Sequence, residues 1–190
     1  DPFTDNTIGM TSSGSLFYTR SAGGMPHQFL IHRNPAQGEA PLAFIGQGAS
    51  WSPDGRSLAF IKPSATGAPE LIVRSVDTGE ERSHRHPGLP IVSPRWLHDG
   101  SGVIVQINTQ VDGRQTSAFH FVDVRTGTFR RLFDRDTNGR ARTGVGTVSP
   151  DDKTLYLGVR NNPGGPITGI VGVDLATGVE RPVLTLPGTG

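Results

Sequence analysis

Short apolar runs alternate with tight polar turns along most of the chain. The clearest case is residues 51–60, where the turn Trp-Ser-Pro-Asp-Gly-Arg leads into the run Ser-Leu-Ala-Phe. Gly supplies the positive φ that tight hairpins require, and Asp tolerates the neighbouring turn position. The runs are short and rich in Val, Ile, Leu, Phe and Tyr, and they carry no helical period with caps. The pattern therefore predicts β-strands joined by hairpins.

The same turn recurs along the sequence. Its variants lie at residues 96–105 and 148–157, with a worn copy at 11–18. A second signal, a strand that ends in a Thr-Gly turn, is found at residues 73–80, 121–127 and 171–178. Repeats of roughly 40–50 residues that hold four antiparallel strands are typical of propeller blades. The sequence predicts an all-β propeller of four such blades, with boundaries near 5–46, 47–88, 89–140 and 141–187.

The second unit has the clearest strand pattern. Its four strands are expected at 47–52, 57–61, 70–76 and 81–84. The third unit carries a long hairpin at 109–116, and an insertion at 134–142 displaces the fourth. Insertions in a repeat array usually lie on one face, which is often the binding face.

Four units fill the chain, which bears on how the ring closes. Propellers have typically about four to eight blades, and closure is what protects their sheet edges. We expect this segment to form part of a larger ring of about six to eight blades. Its terminal apolar faces, with Ile8 and Phe17 near one and Val183 and Leu184 near the other, would be covered by further blades of a longer chain or by a second chain.

Composition limits the classes of partner. The net charge is +1 and the signs are mixed, so no field is expected to recruit nucleic acid. There are no cysteines, which excludes disulfides and thiolate metal sites. No apolar run reaches transmembrane length, so direct membrane insertion is not expected. The arginines of residues 130–142 are interrupted by Asp134 and Asp136, which favours a solvated loop over an anion-binding patch.

The insertion contains a candidate calcium loop. Asp134, Asp136 and Asn138 alternate as the first ligands of such a loop do, and a glycine follows. Arg142 occupies its ninth position and Val145 its twelfth. A calcium loop requires a carboxylate at the twelfth position to complete the coordination shell. We therefore expect weak calcium binding or none, and no other cofactor.

Two histidines and one serine are further candidate site residues, and each also has a structural interpretation. His84 and His86 fall on one side of an extended strand and could hold a transition metal, although the sequence shows no third ligand. Ser50 lies in the nearest approach to a nucleophile elbow, but the final Gly is missing and no helix follows. It is interpreted as an inner-strand residue and not as a catalyst.

Recurring aromatic and acidic residues also have two interpretations. Trp51 and Trp96 hold equivalent positions beside the turn and could stack on a ligand, but packing between blades is favoured. A recurring Asp near each Thr-Gly turn is interpreted as an acceptor for backbone N–H groups, not as a proton shuttle. These residues are Asp77, Asp123 and Asp174.

Residues 51–60 together with 76–80 resemble the TolB-like, WD40-like (PD40-type) β-propeller repeats. Blades of that family carry a Trp-Ser-Pro-Asp-Gly-Lys/Arg turn and a strand ending in Asp-x-x-Thr-Gly-Glu. The third unit replaces Ser-Pro by Leu97 and His98, and the fourth replaces Gly by Asp152.

The resemblance implies a noncatalytic interaction module that binds a protein or peptide through the central channel and the loop face. One alternative is the gating propeller of a prolyl-oligopeptidase-like serine hydrolase. Another is the extracytoplasmic sensor domain of a signalling protein. The resemblance favours a periplasmic or extracytoplasmic location.

Overall fold

The computed structural model describes residues 8–10, 16–20, 27–32, 42–64, 67–86, 90–111, 114–136, 146–160 and 166–186. Within these ranges the chain forms β-strands and turns, without an α-helix. The same ranges accordingly include no helix long and apolar enough to cross a membrane. The strands are β1 (Ile8–Met10), β2 (Leu16–Arg20), β3 (His27–His32), β4 (Leu42–Trp51), β5 (Ser57–Lys62), β6 (Glu70–Ser75), β7 (Glu81–His84), β8 (Ile91–Trp96), β9 (Gly102–Val111), β10 (Arg114–Asp123), β11 (Phe129–Asp136), β12 (Thr147–Val148), β13 (Thr154–Arg160), β14 (Ile167–Asp174) and β15 (Glu180–Thr185).

These strands form four antiparallel blades of four strands each, which confirms the predicted fold class. β8 to β11 form one four-stranded sheet (blade 3), and β12 to β15 form another (blade 4). β1 to β7 form a seven-stranded sheet that β4 divides into two blades. The first half of β4 pairs with β3 and completes blade 1, and its second half pairs with β5 and begins blade 2.

The junction within β4 differs from the predicted strand boundary. The sequence pattern places the start of this strand at residue 47, whereas β4 begins at Leu42. The last strand of blade 1 continues directly into the first strand of blade 2. The register shifts between Gln47 and Ala49, where Gly48 has a φ of 50°. A bulge with a left-handed residue bends a strand, so a single strand can serve two sheets of different orientation.

The apolar core lies between successive blades. Side chains alternate along β9: Val103 and Val105 pack with Ala59 of blade 2, while Ile104 packs with Leu155 of blade 4. Each of these side chains is almost fully buried, and burial of a Val or Leu side chain contributes about 1.5–3 kcal/mol. The start of β9 is therefore apolar on both faces, which explains the continuous apolar run from Val103 to Val105.

Apolar side chains of β15, the edge strand of blade 4, have no such cover among the described residues. Val183 and Leu184 are 52% and 47% exposed. At the other end, Ile8 and Phe17 take part in the pairing of β1 with β2, but their side chains lie outside the described part of the chain.

The recurring Ser-Pro-Asp turn has a specific hydrogen-bond network. Ser52 Oγ donates to Asp54 Oδ1 at 2.6 Å and accepts from the Ser57 N–H at 2.8 Å. Asp54 Oδ1 also accepts from the Arg56 N–H at 3.0 Å. The hydrogen bond from Ser52, followed by that from the Arg56 backbone, lowers the pKa of Asp54. Ser and Asp thus satisfy the backbone of the hairpin, which explains why the pair recurs in blade 4.

The second recurring turn shows that one sequence equivalence was wrong. Asp123 and Asp174 accept backbone N–H bonds within their turns, as predicted. Each lies four residues before the turn glycine, and its carbonyl accepts from that glycine. In blade 2 the residue at this position is Ser75, whose Oγ accepts from the Thr78 N–H at 3.2 Å. Asp77 lies two residues closer to the glycine, so it is not the equivalent residue.

Candidate functional site

A cavity of about 280 Å³ lies where the first strands of blades 2, 3 and 4 end in their hairpin turns. Ser50, Arg95 and Thr147 occupy equivalent positions in these three blades, one residue before Trp51, Trp96 and Val148 respectively. All three residues line one cavity because the repeat brings them to the same level of the fold. The residues that line the cavity include Ser50, Trp51, Arg95, Trp96, His98 and Thr147.

Arg95 supplies the positive charge of the cavity. β8 is bulged between Val92 and Arg95, and Ser93 has a φ of 51° at this bulge. The Arg95 guanidinium donates from Nε to the Gly146 carbonyl and from Nη1 to the Pro94 carbonyl, both at 2.7 Å. Burial lowers the pKa of Arg95, although an arginine at neutral pH remains charged.

No carboxylate in the described part of the chain forms an ion pair with this guanidinium. Neither of the two carbonyls that hold the side chain in place accepts a hydrogen bond from its Nη2 group. Sequence reasoning missed Arg95. A signal was present in the sequence: blade 3 has an arginine at the repeat position where blade 2 has the small residue Ser50.

Trp51 and Trp96 pack against the apolar core, as favoured by the sequence, and both also line the cavity. Trp51 packs against the buried cluster around Leu58 and Phe60, and Trp96 packs against the cluster between blades 2 and 3. Both indoles are only partly buried, and both line the cavity. Packing thus positions two aromatic side chains beside Arg95.

The two departures from the turn motif meet across the boundary between blades 3 and 4. Asp152 Oδ1 accepts from the His98 N–H at 2.8 Å, and Oδ2 accepts from the Asp99 N–H at 2.9 Å. Asp152 Oδ1 also lies 3.1 Å from His98 Nδ1. Asp152 has a φ of 55°, a conformation that glycine adopts at the equivalent position of blade 2. Its carboxylate satisfies the turn of the neighbouring blade, which lacks the Ser of the motif.

Ser50 shares the cavity with His98 but is not arranged as a nucleophile. Its Oγ accepts a hydrogen bond from the Trp96 N–H at 3.0 Å, so it links the first strands of blades 2 and 3. An activated serine requires a base within hydrogen-bond reach. No Ser50–His98 hydrogen bond is present among the described residues.

The histidines form a different pair from the predicted one. The His86 ring packs edge-on against His120 of blade 3, with 5.1 Å between centroids, whereas His84 is buried beside the turn at Gly127. Burial lowers the pKa of both His84 and His120. His120 could not be singled out by spacing, because it reaches His86 only through the contact between blades. No group of three or more potential metal ligands occurs in the described ranges.

The predicted calcium loop begins inside a strand. β11 extends to Asp136, so Asp134, Asp136 and the preceding arginines from Arg130 lie on a strand and not in a loop. The Asp134 carboxylate is paired with the Arg131 guanidinium. Asn138 and the side chain of Asp136 lie outside the described residues. Calcium binding by these residues stays a prediction, and Arg131 would compete for Asp134.

Comparison with known proteins gives the following similarities. No protein-family model matches the sequence. A curated relative, the uncharacterized peptidase YuxL of Bacillus subtilis (strain 168), is 36% identical over 58 residues, which cover 30% of this chain and 9% of that protein. TolB from Acinetobacter baumannii superposes with a TM-score of 0.65 at 21% identity, over 95% of this chain and 44% of that chain. Pyrococcus horikoshii acylaminoacyl peptidase superposes with a TM-score of 0.64 at 11% identity, over 93% of this chain and 32% of that chain.

The chain thus spans less than half the length of each of these proteins. The structural similarity nevertheless extends over almost all of this chain. The chain has the fold of the TolB-like β-propellers, as a four-blade segment.

Proposed function

We propose that this chain is a noncatalytic recognition module that binds a peptide or protein segment through the channel-side surface formed by the first strands of its blades. The observation that carries the proposal is the cavity at the ends of these strands, with its convergent Ser50, Arg95 and Thr147 and its two tryptophans. Ligand sites are typically concave, mainly apolar, and provided with a few convergent polar groups. At about 280 Å³, the cavity is large enough for one or two residues of a peptide and not for a folded domain.

Filling the cavity is expected to abolish binding. Peptides selected from a random library against the chain should lose at least about tenfold in affinity for Thr147→Trp, because a bulky side chain would occupy the space that the peptide needs. Fluorescence polarisation of labelled peptides measures this loss.

Arg125→Trp provides the matched control, since the Arg125 side chain is 81% exposed on a different turn of blade 3. It should leave the affinity unchanged. A library that yields no binders, or binders that are insensitive to Thr147→Trp, would show that the cavity does not serve recognition.

A second candidate function is the propeller of a peptidase, in which the module would control access to a catalytic domain. It is favoured by the similarity to YuxL and by the superposition on an acylaminoacyl peptidase. The two candidates differ in whether the complete protein contains a catalytic serine. The gating function places it in an additional hydrolase domain, which labelling of the complete gene product with a fluorophosphonate would detect outside residues 1–190.

Both candidates predict that the chain itself lacks hydrolase activity. We expect no turnover of p-nitrophenyl acetate above the buffer rate, because the Ser50 hydroxyl is positioned by the Trp96 N–H and not by a base. Initial rates for the wild type and for Ser50→Ala should be the same. Hydrolysis that is lost specifically in Ser50→Ala would refute the noncatalytic assignment.

A further inference from the structure

The partly buried guanidinium of Arg95 has no carboxylate partner among the described residues. Two of its nitrogens are held by the Gly146 and Pro94 carbonyls, which fixes the group in place and leaves Nη2 available. Carbonyl acceptors orient a cation but do not neutralise it. Even partial burial of a charge without a counter-ion is unfavourable, and a bound anion with good hydrogen-bond geometry would offset part of that cost.

The described residues around Arg95 supply no free negative charge. The described residues that line the cavity include no Asp or Glu. The carboxylate of Asp152, which contacts the lining residue His98, already accepts from two backbone N–H groups of the adjacent turn. Residues 137–145, which precede Gly146 in sequence, contain two arginines and no acidic residue.

The remaining lining groups suit the binding of a carboxylate that is part of a peptide. Ser50 and Thr147 provide hydroxyl groups at the repeat positions equivalent to Arg95. A hydroxyl can donate to a carboxylate oxygen, and an arginine forms charge-assisted hydrogen bonds with it. Trp51 and Trp96 provide apolar faces against which the adjoining aliphatic part of a peptide can pack.

We propose that Arg95 binds a carboxylate group of the peptide that occupies this cavity. This inference rests on the proposed recognition function and specifies the chemistry of its ligand. The carboxylate belongs either to the C-terminus of the peptide or to an Asp or Glu side chain, and the shared chemistry is that of an anionic oxygen pair.

The two tryptophans make a direct measurement possible, because the chain contains only two and both line the cavity. Intrinsic fluorescence is titrated with three probes: acetyl-Ala-Ala-Ala with a free carboxylate, its C-terminal amide, and acetyl-Ala-Glu-Ala amide. Acetylation removes the N-terminal charge from every probe. A saturable change is expected with at least one of the two carboxylate probes. The neutral amide should bind at least about tenfold more weakly, as expected for loss of a charge-assisted hydrogen bond.

The same titration separates the two sources of the carboxylate. Preference for the free acid identifies a C-terminal carboxylate, and preference for the glutamyl amide identifies a side chain. Arg95→Gln should lower the affinity of the preferred probe by at least about tenfold, and Arg95→Lys should restore part of it. Arg56→Gln is the matched control, since Arg56 is an exposed arginine of the blade 2 turn. If Arg95→Gln fails to fold, the comparison of acid with amide on the wild type still decides the question.

Equal binding of all three probes, no binding of either carboxylate probe, or full affinity in a folded Arg95→Gln would overturn the assignment of Arg95. Library peptides that depend on the cavity but tolerate Arg95→Gln would overturn it while leaving the proposed recognition function intact. Failure of the recognition function itself would appear as the absence of any library binder, or as binders that are insensitive to Thr147→Trp.

Discussion

Replacing Phe119 by Ala is expected to lower the free energy of unfolding by about 3–5 kcal/mol, the usual cost of removing a large buried aromatic side chain. Phe119 is 1% exposed and stacks on Phe133 with 4.8 Å between ring centroids. It also belongs to the cluster that holds blade 3 against blade 4, together with Val148 and Leu155. The truncation would therefore leave a cavity at the interface between two blades.

Urea denaturation followed by tryptophan fluorescence and circular dichroism measures the loss. Val179→Ala is the control, because Val179 is 64% exposed and its truncation should change stability by less than about 0.5 kcal/mol. In a repeat array each unit contacts only its neighbours, so backbone hydrogen exchange should accelerate more in β13 than in β5. A loss below about 1 kcal/mol would contradict the packing of blade 4 on blade 3.

Replacing Gly102 by Ala is expected to cost about 3 kcal/mol or more, at the upper end of the range for overpacked sites. A Cβ atom at this position would overlap the carbonyl oxygen of Val122 and the ring of Phe121. The carbonyl belongs to the paired strand β10, where Val122 lies opposite Val103. Because a backbone oxygen in a strand ladder cannot rotate away, the β9–β10 pairing itself must shift.

Gly67→Ala is a suitable comparison for this substitution. Among the described residues, a Cβ atom at Gly67 would meet only the Ser64 hydroxyl oxygen, at 3.6 Å. Its replacement should be neutral or stabilising by up to about 1 kcal/mol, because Ala reduces the entropy of the unfolded chain. Chemical denaturation of both variants gives the difference. Equal stabilities would show that the strands of blade 3 are not in the register described here.

The fold was predictable from local chemistry because blades 2, 3 and 4 repeat variants of the same two turn signals. The Ser-Pro-Asp-Gly turn determines a hairpin by itself, since Ser52 and Asp54 satisfy backbone groups within a few residues of their own positions. The alternation of apolar residues likewise identifies strands without any knowledge of their neighbours. Ser50 as a strand residue and Asp123 and Asp174 as turn acceptors followed from the same local reasoning.

Properties that depend on contacts between blades could not be predicted in this way. The sequence placed His84 beside His86, but the packing of blades 2 and 3 pairs His86 with His120. In the sequence, His98 and Asp152 are separate departures from the turn motif of two blades. In the structure the His98 N–H donates a hydrogen bond to Asp152. Residues far apart in sequence meet through tertiary packing, which no local pattern encodes.

The candidate site likewise has features that the sequence determined and features that depend on contacts between blades. The sequence by itself determined that a polar residue precedes each of Trp51, Trp96 and Val148, because repeat spacing places Ser50, Arg95 and Thr147 at equivalent positions. Only the tertiary structure decided that these residues share one cavity and that the partly buried Arg95 is held there between two carbonyl acceptors. The physical reason is that strands and turns follow from interactions over a few residues, whereas the burial and pairing of a charge depend on which blades pack together.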